Sequence, residues 1–163
     1  MKIREAKETD AIAISSLVLK SAKAHIRDEF SDDGWELFQR LSSEDCQREL
    51  LRNKLYYFLV AEQHKQIIGM LALKDISHIF QLFISTDCQR QGVGSMLWNH
   101  YLQAIKTGKL SKQHFDRITL NASDFGKGFY LKLGFDTAGK RQMKKGVYIN
   151  PLSYSLTTST LMQ

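Results

Sequence analysis

A polar, glycine-containing segment in the middle of the chain joins a strand pattern to a helix pattern, and it constrains the fold more than any other feature. His78 to Ser85 is an apolar, β-rich run. From Gly92 onward, apolar side chains recur at helical spacing. The chain therefore passes from a strand into the first turn of a helix within a few residues.

Such a junction directs several unpaired backbone N–H groups to one place, next to the positive end of the helix dipole. An anion is the natural occupant of that position. Gly92 and Gly94 lack a Cβ, so a phosphate could approach the main chain closely, and Arg90 adds a positive charge at the rim. Two glycines alone are equally compatible with a tight turn that binds nothing.

Two other phosphate-binding loops do not fit the segment. A Walker A loop has Lys and then Ser or Thr after its last glycine, whereas Gly94 is followed by Ser95 and Met96. A dinucleotide fingerprint needs a small residue at the position of Leu97 and an acidic partner about 20 residues further on. Neither class of site is predicted.

The remaining periodicity predicts a single α/β (α+β) domain. A first strand, Ile3 to Ala6, precedes a helix from about Asp10 to His25 and two short helices, the second starting at a capping-box pattern of Ser42 and Asp45. Three meandering strands, the long helix, a strand, a helix and two strands follow. We expect a mixed, mostly antiparallel sheet of six to seven strands flanked by helices.

Length and composition are those of an ordinary globular protein. The 163 residues, 43% hydrophobic and 25% charged, predict one domain over residues 1–156 and a short tail over residues 157–163. Cys46 and Cys88 have no His or Cys at ligand spacing, so no metal site is expected. We expect a cytoplasmic protein without a membrane partner, because no signal-peptide pattern and no apolar run of about 18 residues is present.

The net charge of +6 favours anionic ligands without specifying them. Basic residues are scattered, with local concentrations at Lys106 to Lys112 and Lys140 to Lys145. They do not interleave with aromatic residues as a nucleic-acid stacking platform would require, so nucleic acid is disfavoured as a partner. The sequence is compatible with a homodimer.

The segment Gln89 to Gly94, QRQGVG, resembles the signature of the GNAT superfamily of acyl-coenzyme A-dependent N-acyltransferases. That signature has Gln or Arg, two variable residues, Gly, one variable residue, and Gly or Ala, after a strand like Leu82-Phe83-Ile84. Leu120 to Ser123, Phe129 to Phe135 and Gly146 to Ile149 are similar to later elements of the family, in the expected order. The resemblance covers about the C-terminal two-thirds of the chain.

The resemblance implies acetyl-coenzyme A (acetyl-CoA) as co-substrate and no metal. Its pantetheine arm would lie between two splayed strands, His78 to Ser85 and Arg117 to Asn121. Main-chain groups of Leu82, Phe83 and Ile84 would hold the arm, and one N–H would polarise the thioester carbonyl. Asn121 would contact the pantetheine or adenosine side. The residues implied to bind the pyrophosphate are Gln89, Arg90, Gln91, Gly92, Val93, Gly94 and Ser95.

Tyr130 stands four residues before Gly134, at the position of the general acid that protonates the departing thiolate in this family. A phenol with a pKa of about 10 can protonate a thiolate whose conjugate acid has a pKa of about 8.5 only if the two are well aligned. Considered by itself, Tyr130 is also typical of a core tyrosine beside Phe129.

His78 lies eleven residues before Gln89, where many family members have a Glu that takes a proton from the amine through water. The sequence departs from the family here. An imidazole with a pKa of about 6.5 is a competent base at neutral pH, although a lone His at a strand start is equally typical of a solvated surface residue. Glu62, Asp124 and the acidic loop Asp28 to Asp33 are weaker alternatives.

The sequence therefore predicts direct attack of a primary amine, on a small molecule or peptide, at the thioester of acetyl-CoA. The alternative is a basic nucleic-acid- or ligand-binding module with this fold and no turnover, supported by Lys140 to Lys145. The resemblance implies an acceptor pocket formed by His25 to Trp35 and Gly139 to Gly146. The acidic loop suggests a cationic amine, and the basic segment suggests an anionic group elsewhere on it.

Overall fold

In the computed structural model, which describes residues 1–110 and 115–157, eight strands form one sheet with helices on both faces. The predicted tail beyond Thr157 and the end of the basic stretch Lys106 to Lys112 lie outside the described residues. The strands are β1 (Lys2–Glu5), β2 (Tyr56–Gln63), β3 (Gln66–Lys74), β4 (His78–Ile84), β5 (Arg117–Ala122), β6 (Asp136–Thr137), β7 (Gln142–Lys144) and β8 (Val147–Ser155). The α-helices are α1 (Ala11–His25), α2 (Asp32–Leu41), α3 (Glu44–Arg52), α4 (Val93–Lys106) and α5 (Asp124–Lys132).

The strand order is β1-β2-β3-β4-β5-β8-β6, with β7 paired to β8. Only β4 and β5 pair in parallel; the other paired strands of the described chain are antiparallel. The mixed, mostly antiparallel sheet is thus confirmed, with more strands than expected. The unpredicted strand is β7, whose three residues are all exposed and too few to form an alternation that a sequence pattern could reveal.

Serine caps start the two short helices. The hydroxyl of Ser31 accepts from the Gly34 N–H at the start of α2, and that of Ser43 accepts from the Cys46 N–H at the start of α3. The prediction of Ser42 as the cap was wrong by one residue. Ser42 is buried, and its carbonyl accepts a 2.7 Å hydrogen bond from the Ser15 hydroxyl on α1.

The two faces of the sheet bury separate hydrophobic clusters. On one, here called the α4 face, Leu59, Leu71 and Ile118 pack with Leu97 of α4 and Tyr130 of α5. On the other, the α1 face, the packed side chains are Ile14, Val18, Phe58, Val60 and Met70. Strand β5 buries only alternate residues, so Thr119 and Asn121 are exposed on the side opposite the α4 face. Among the described residues, nothing buries these side chains of β5 on the α1 face.

The start of α2 is attached to the β7–β8 hairpin. The Ser31 N–H donates to the Gly146 carbonyl at 2.9 Å, and Phe30 forms an isolated β-bridge with Val147. A Cβ on Gly34 would lie 2.1 Å from the Gly146 oxygen, so only glycine permits this contact. The segment before α2 and the hairpin therefore form one connected wall.

Replacing Gly34 with Ala is expected to destabilise the protein by about 1–3 kcal/mol, because the new methyl group would push two backbone segments apart. Gly128→Ala is the matched control, since Gly128 lies inside α5 with open space around it. That change should stabilise by about 0.5–1 kcal/mol through helix propensity. Urea unfolding midpoints measure both, and a Gly34→Ala protein as stable as the parent would contradict the attachment.

Candidate active site

A gap opens in the sheet between β4 and β5. The two strands pair only at His78 with Thr119 and at Ile79 with Leu120. Beyond those pairs, β4 continues to Ile84 alongside β3 alone, and β5 continues to Ala122 alongside β8 alone. The strands therefore separate toward their carboxyl ends, which leaves unpaired strand edges facing each other.

The main chain of β4 offers hydrogen-bonding groups to this gap. The Ser85 N–H donates to the Ile68 carbonyl of the β3 side at 2.8 Å. Because hydrogen-bonded pairs alternate along an antiparallel ladder, the main chain of Phe83 also faces β3, whereas Leu82 and Ile84 face the gap. Of the three residues expected to hold the pantetheine arm, two present main-chain groups there.

A β-bulge in β4 changes which way its side chains point. The register between β3 and β4 shifts at Phe80, which gives β4 one extra residue. The Phe80 ring contacts Tyr56 at 5.4 Å, and the Gln81 side chain accepts from Gln47 at 3.4 Å. Tyr56 and α3, which carries Gln47, pack on the α1 face, so the bulge brings two consecutive β4 side chains to that face, near His78.

The N-terminus of α4 is free beside the open end of the gap. Gly92, at a φ of +82°, precedes the helix, and none of the side chains the structure describes accepts from the N–H groups of its first turn. By contrast, α2, α3 and α5 each have a serine cap. Uncapped N–H groups and the helix dipole suit an anion.

The other residues of the loop Gln89 to Ser95 differ in their exposure and contacts. Arg90 is exposed and takes a φ of +59°. The side-chain amide of Gln89 donates to the carbonyl of Ile84, at the end of β4, and that of Gln91 donates to the carbonyl of Asp87. A Cβ on Gly94 would lie 3.0 Å from the Phe129 ring, so this glycine permits α4 to approach α5. Val93 is buried and Ser95 is half-buried. Their main-chain N–H groups belong to the uncapped first turn.

Tyr130 lies on α5 with its ring in the core of the α4 face. It is 8% exposed, and its ring packs against Phe129 and Phe135 at 5.2 and 5.5 Å. Burial raises the pKa of the phenol, so it keeps its proton at neutral pH. The hydroxyl makes no hydrogen bond to any residue that the structure describes. Its oxygen is not fully enclosed, so a bound molecule can reach it.

His78 and Thr119 meet at the point where β4 and β5 separate. The His78 Nδ1 lies 2.8 Å from the Thr119 hydroxyl oxygen. Burial lowers the pKa of His78, and the positive charges of Lys144 and Lys74 lower it further. The imidazole is consequently neutral at neutral pH, and in the tautomer whose Nδ1–H donates to Thr119 it can accept a proton through Nε2.

Two of the acidic alternatives to His78, Glu62 and Asp124, are engaged in ion pairs. Glu62 lies 2.7 Å from Arg4, and Asp124 forms a 2.7 Å ion pair with Arg141. Hydrogen bonds from Arg141 and Asn150 hold the pKa of the Asp124 carboxyl below its usual range. These contacts disfavour Glu62 and Asp124 as the base, whereas His78 lies at the base of the gap.

The C-terminal end of α1 bridges the open end of the gap, an arrangement that no sequence pattern indicated. The Ser21 hydroxyl donates to the Ile84 carbonyl, and the His25 Nε2 lies 3.3 Å from the Thr86 hydroxyl. The His25 ring also stacks on Phe125 at 4.6 Å. Just beyond, the Glu29 carboxylate accepts from the N–H groups that begin α5. Contacts between residues this far apart in sequence leave no local signal.

The described residues hold neither a membrane-spanning helix nor a cluster of metal ligands. None of the helices described over residues 1–110 and 115–157 is both long and apolar enough to cross a bilayer. Within those same ranges, no group of three or more His, Cys, Asp or Glu side chains is arranged to hold a metal ion.

A comparison of the sequence with models of known protein families identifies its family. The model of the acetyltransferase (GNAT) domain matches residues 26–156. The chain belongs to the GNAT acetyltransferase family. This GNAT protein therefore has the family's acyl-CoA-dependent N-acetyltransferase domain. A sequence comparison with curated proteins gives no match.

Solved structures share the same GNAT fold. A GCN5-related N-acetyltransferase from Rhodopseudomonas palustris superposes with a TM-score of 0.79 at 19% identity, covering 95% of each chain. PaiA N-acetyltransferase from Thermoplasma acidophilum, in complex with coenzyme A, gives 0.77 at 18% identity over 94% of this chain and 98% of that one. The aminoglycoside 6'-N-acetyltransferase from Enterococcus faecium gives 0.68 at 14% identity over 95% and 97%.

Proposed function

We propose that the protein transfers an acetyl group from acetyl-CoA to a primary amine of a small molecule or peptide, by direct attack of the amine on the thioester. The observation that carries this proposal is the separation of β4 from β5 after the Ile79–Leu120 pair, with the uncapped α4 N-terminus at its open end. Family membership supports the reaction class.

The donor would bind along the gap. The N–H groups at the start of α4 would take the pyrophosphate, with Arg90 adding positive charge at the rim. Main-chain groups of Leu82 and the N–H of Ile84, whose carbonyl already accepts from Ser21, would hydrogen-bond the pantetheine arm, which would replace the missing strand pairing. Asn121, exposed on β5, would contact the arm or the adenosine side from across the gap.

Two side chains would move protons. Tyr130, protonated because it is buried, would donate to the departing thiolate from the α4 face. His78, neutral and oriented by Thr119, would take a proton from the attacking amine on the opposite side. Holding the two reactants in line would supply most of the rate acceleration.

The experiment that tests this function is thiol release from acetyl-CoA in the presence of a panel of amines, with tertiary amines as matched non-acceptors. Release that depends on the enzyme and on a primary amine, with an acetylated product identified by mass spectrometry, supports the proposal. Binding of acetyl-CoA or DNA without release from any amine would favour the module without turnover and overturn the enzymatic proposal.

Replacing His78 with Ala is expected to lower kcat/KM by about 10²- to 10⁴-fold near neutral pH and to remove the acidic limb of its pH profile. Because the pKa of His78 is lowered, that limb should lie below about pH 6.5, the ordinary imidazole value. Lys106→Gln, on an exposed site in the last turn of α4, is the control.

The acceptor amine also titrates, so the profile is measured with two acceptors of different amine pKa. A limb that moves with the acceptor belongs to the substrate and not to the enzyme. If His78→Ala keeps both rate and profile, water or another residue accepts the proton.

A further inference from the structure

We propose that the acceptor carries an anionic group, a carboxylate or a phosphate, close to its reactive amine, and that Lys74 and Lys144 bind that group beside His78. This inference rests on the proposed function, since it assigns the acceptor side of the same site. It goes beyond the reaction class by selecting among amines on the basis of charge.

Lys74 and His78 are cross-strand neighbours. They pair directly at the end of the β3–β4 hairpin, so their side chains lie on the same face of the sheet. His78 in turn contacts Thr119, its partner in one of the two residue pairs that join β4 to β5. An acceptor whose amine reaches the imidazole would therefore place its neighbouring group within reach of an exposed ammonium.

Lys144 approaches the same imidazole from the hairpin. It pairs with Val147, which also bridges to Phe30. Aromatic contacts then run from Phe30 to Phe38 at 5.1 Å and from Phe38 to Phe83 of β4 at 6.3 Å. The hairpin is thereby held near β4, and the charge of Lys144 contributes to the lowered pKa of His78.

Neither lysine is neutralised by a carboxylate in the part of the chain that the structure describes. The ion pairs found there all use arginines: Arg4, Arg27, Arg48, Arg52 and Arg141. The charges that perturb His78 are both positive. Both cations act on His78 and neither is neutralised by a described carboxylate, so an anionic ligand group beside the imidazole would be attracted by both charges.

The acidic loop, by contrast, gives limited support for a polycationic acceptor. Glu29 is occupied by the N–H groups at the start of α5, and Asp32 forms an ion pair with Arg27 at 2.7 Å. These two carboxylates serve the structure of the wall. The charges that act on His78 come instead from Lys144 and Lys74.

The test compares matched acceptors in the thiol-release assay. Alanine, methionine and phenylalanine are measured against their carboxamides, and phosphoethanolamine against ethanolamine, with spermidine as a polycation. Rates are divided by the fraction of neutral amine at the assay pH, because a carboxamide has a less basic amine. We expect the anionic member of at least one pair to have a kcat/KM at least about 10-fold higher, and the preferred pair distinguishes carboxylate from phosphate.

Variants then locate the effect. Lys74→Gln and Lys144→Gln each keep most of the side-chain length and remove the charge. Each should raise KM for the anionic acceptor by about 5-fold, and the double variant by more, while KM for the neutral counterpart stays unchanged. Lys106→Gln is the control, because this exposed lysine lies in the last turn of α4 and has no place in the site.

The outcomes separate this inference from the function on which it rests. Amine-dependent thiol release that prefers neutral amines or spermidine would overturn the anionic acceptor and leave the acetyltransferase intact. An anionic preference that survives the double variant would show that other residues bind the group, and would also overturn the assignment. Absence of thiol release with every amine would instead overturn the proposed function.

Discussion

Tyr130→Phe should lower kcat by about 10²- to 10⁴-fold while the affinity for acetyl-CoA stays unchanged. The substitution keeps the ring and its contacts with Phe129 and Phe135, and removes only the proton that the phenol can give. The fold should not suffer, because the hydroxyl makes no hydrogen bond to the residues that the structure describes. Steady-state kinetics and a calorimetric titration with acetyl-CoA measure the two quantities.

Tyr57→Phe is the matched control. Tyr57 is a half-buried tyrosine of β2 whose hydroxyl makes a weak 3.4 Å contact with Glu5, away from the gap. Its loss should leave kcat within a factor of about two, as expected for a surface substitution. Normal turnover by Tyr130→Phe would show that another group protonates the thiolate.

Gly92→Glu should weaken acetyl-CoA binding by at least about 100-fold. The new carboxylate would stand beside the N–H groups of α4 that are proposed to hold the pyrophosphate, and the loss of two charge-assisted hydrogen bonds accounts for that factor. Acetyl-CoA at 100 times its Kd should stabilise the parent protein by about 2.7 kcal/mol. The thermal shift of the variant at the same concentration should be close to zero.

Gly108→Glu controls for backbone strain. Gly108 follows α4, has a φ of +68° and, like Gly92, has open space where a Cβ would stand. Both substitutions therefore force a side chain into the left-handed region, at a cost of about 1–2 kcal/mol in free energy of unfolding. Only Gly92→Glu should lose the ligand-induced shift, and an equal shift in the two variants would place the pyrophosphate elsewhere.

Local sequence was sufficient to predict the local backbone features of the candidate site. The strand, glycine turn and helix around Gly92 form one contiguous segment. The sequence predicted their order because the backbone of the turn requires glycine at one positive φ. Asn121 was named through the family resemblance, and the structure shows it exposed on β5. The proposed role of Tyr130 as general acid also came from the family resemblance, since periodicity alone predicts a core aromatic residue there.

Contacts between distant segments could not be predicted. His78 and Thr119 are 41 residues apart, and Glu29 reaches α5 across 95 residues, so no window of sequence contains both partners. The bulge at Phe80 changes the side-chain alternation of β4, which a strict period of two cannot describe. The same holds for β7, where three exposed residues form a strand only because β8 pairs with them.

Hydrogen exchange of the backbone amides, with and without acetyl-CoA, tests most directly whether the gap and loop form the donor site. The account predicts that acetyl-CoA slows exchange in peptides that cover residues 82–84 and 89–95, with little change in β1 and β2. Free acetate should protect neither segment, because most of the affinity comes from the pyrophosphate and the arm. Unchanged exchange in both segments at saturating acetyl-CoA, or protection confined to another part of the chain, would contradict the account.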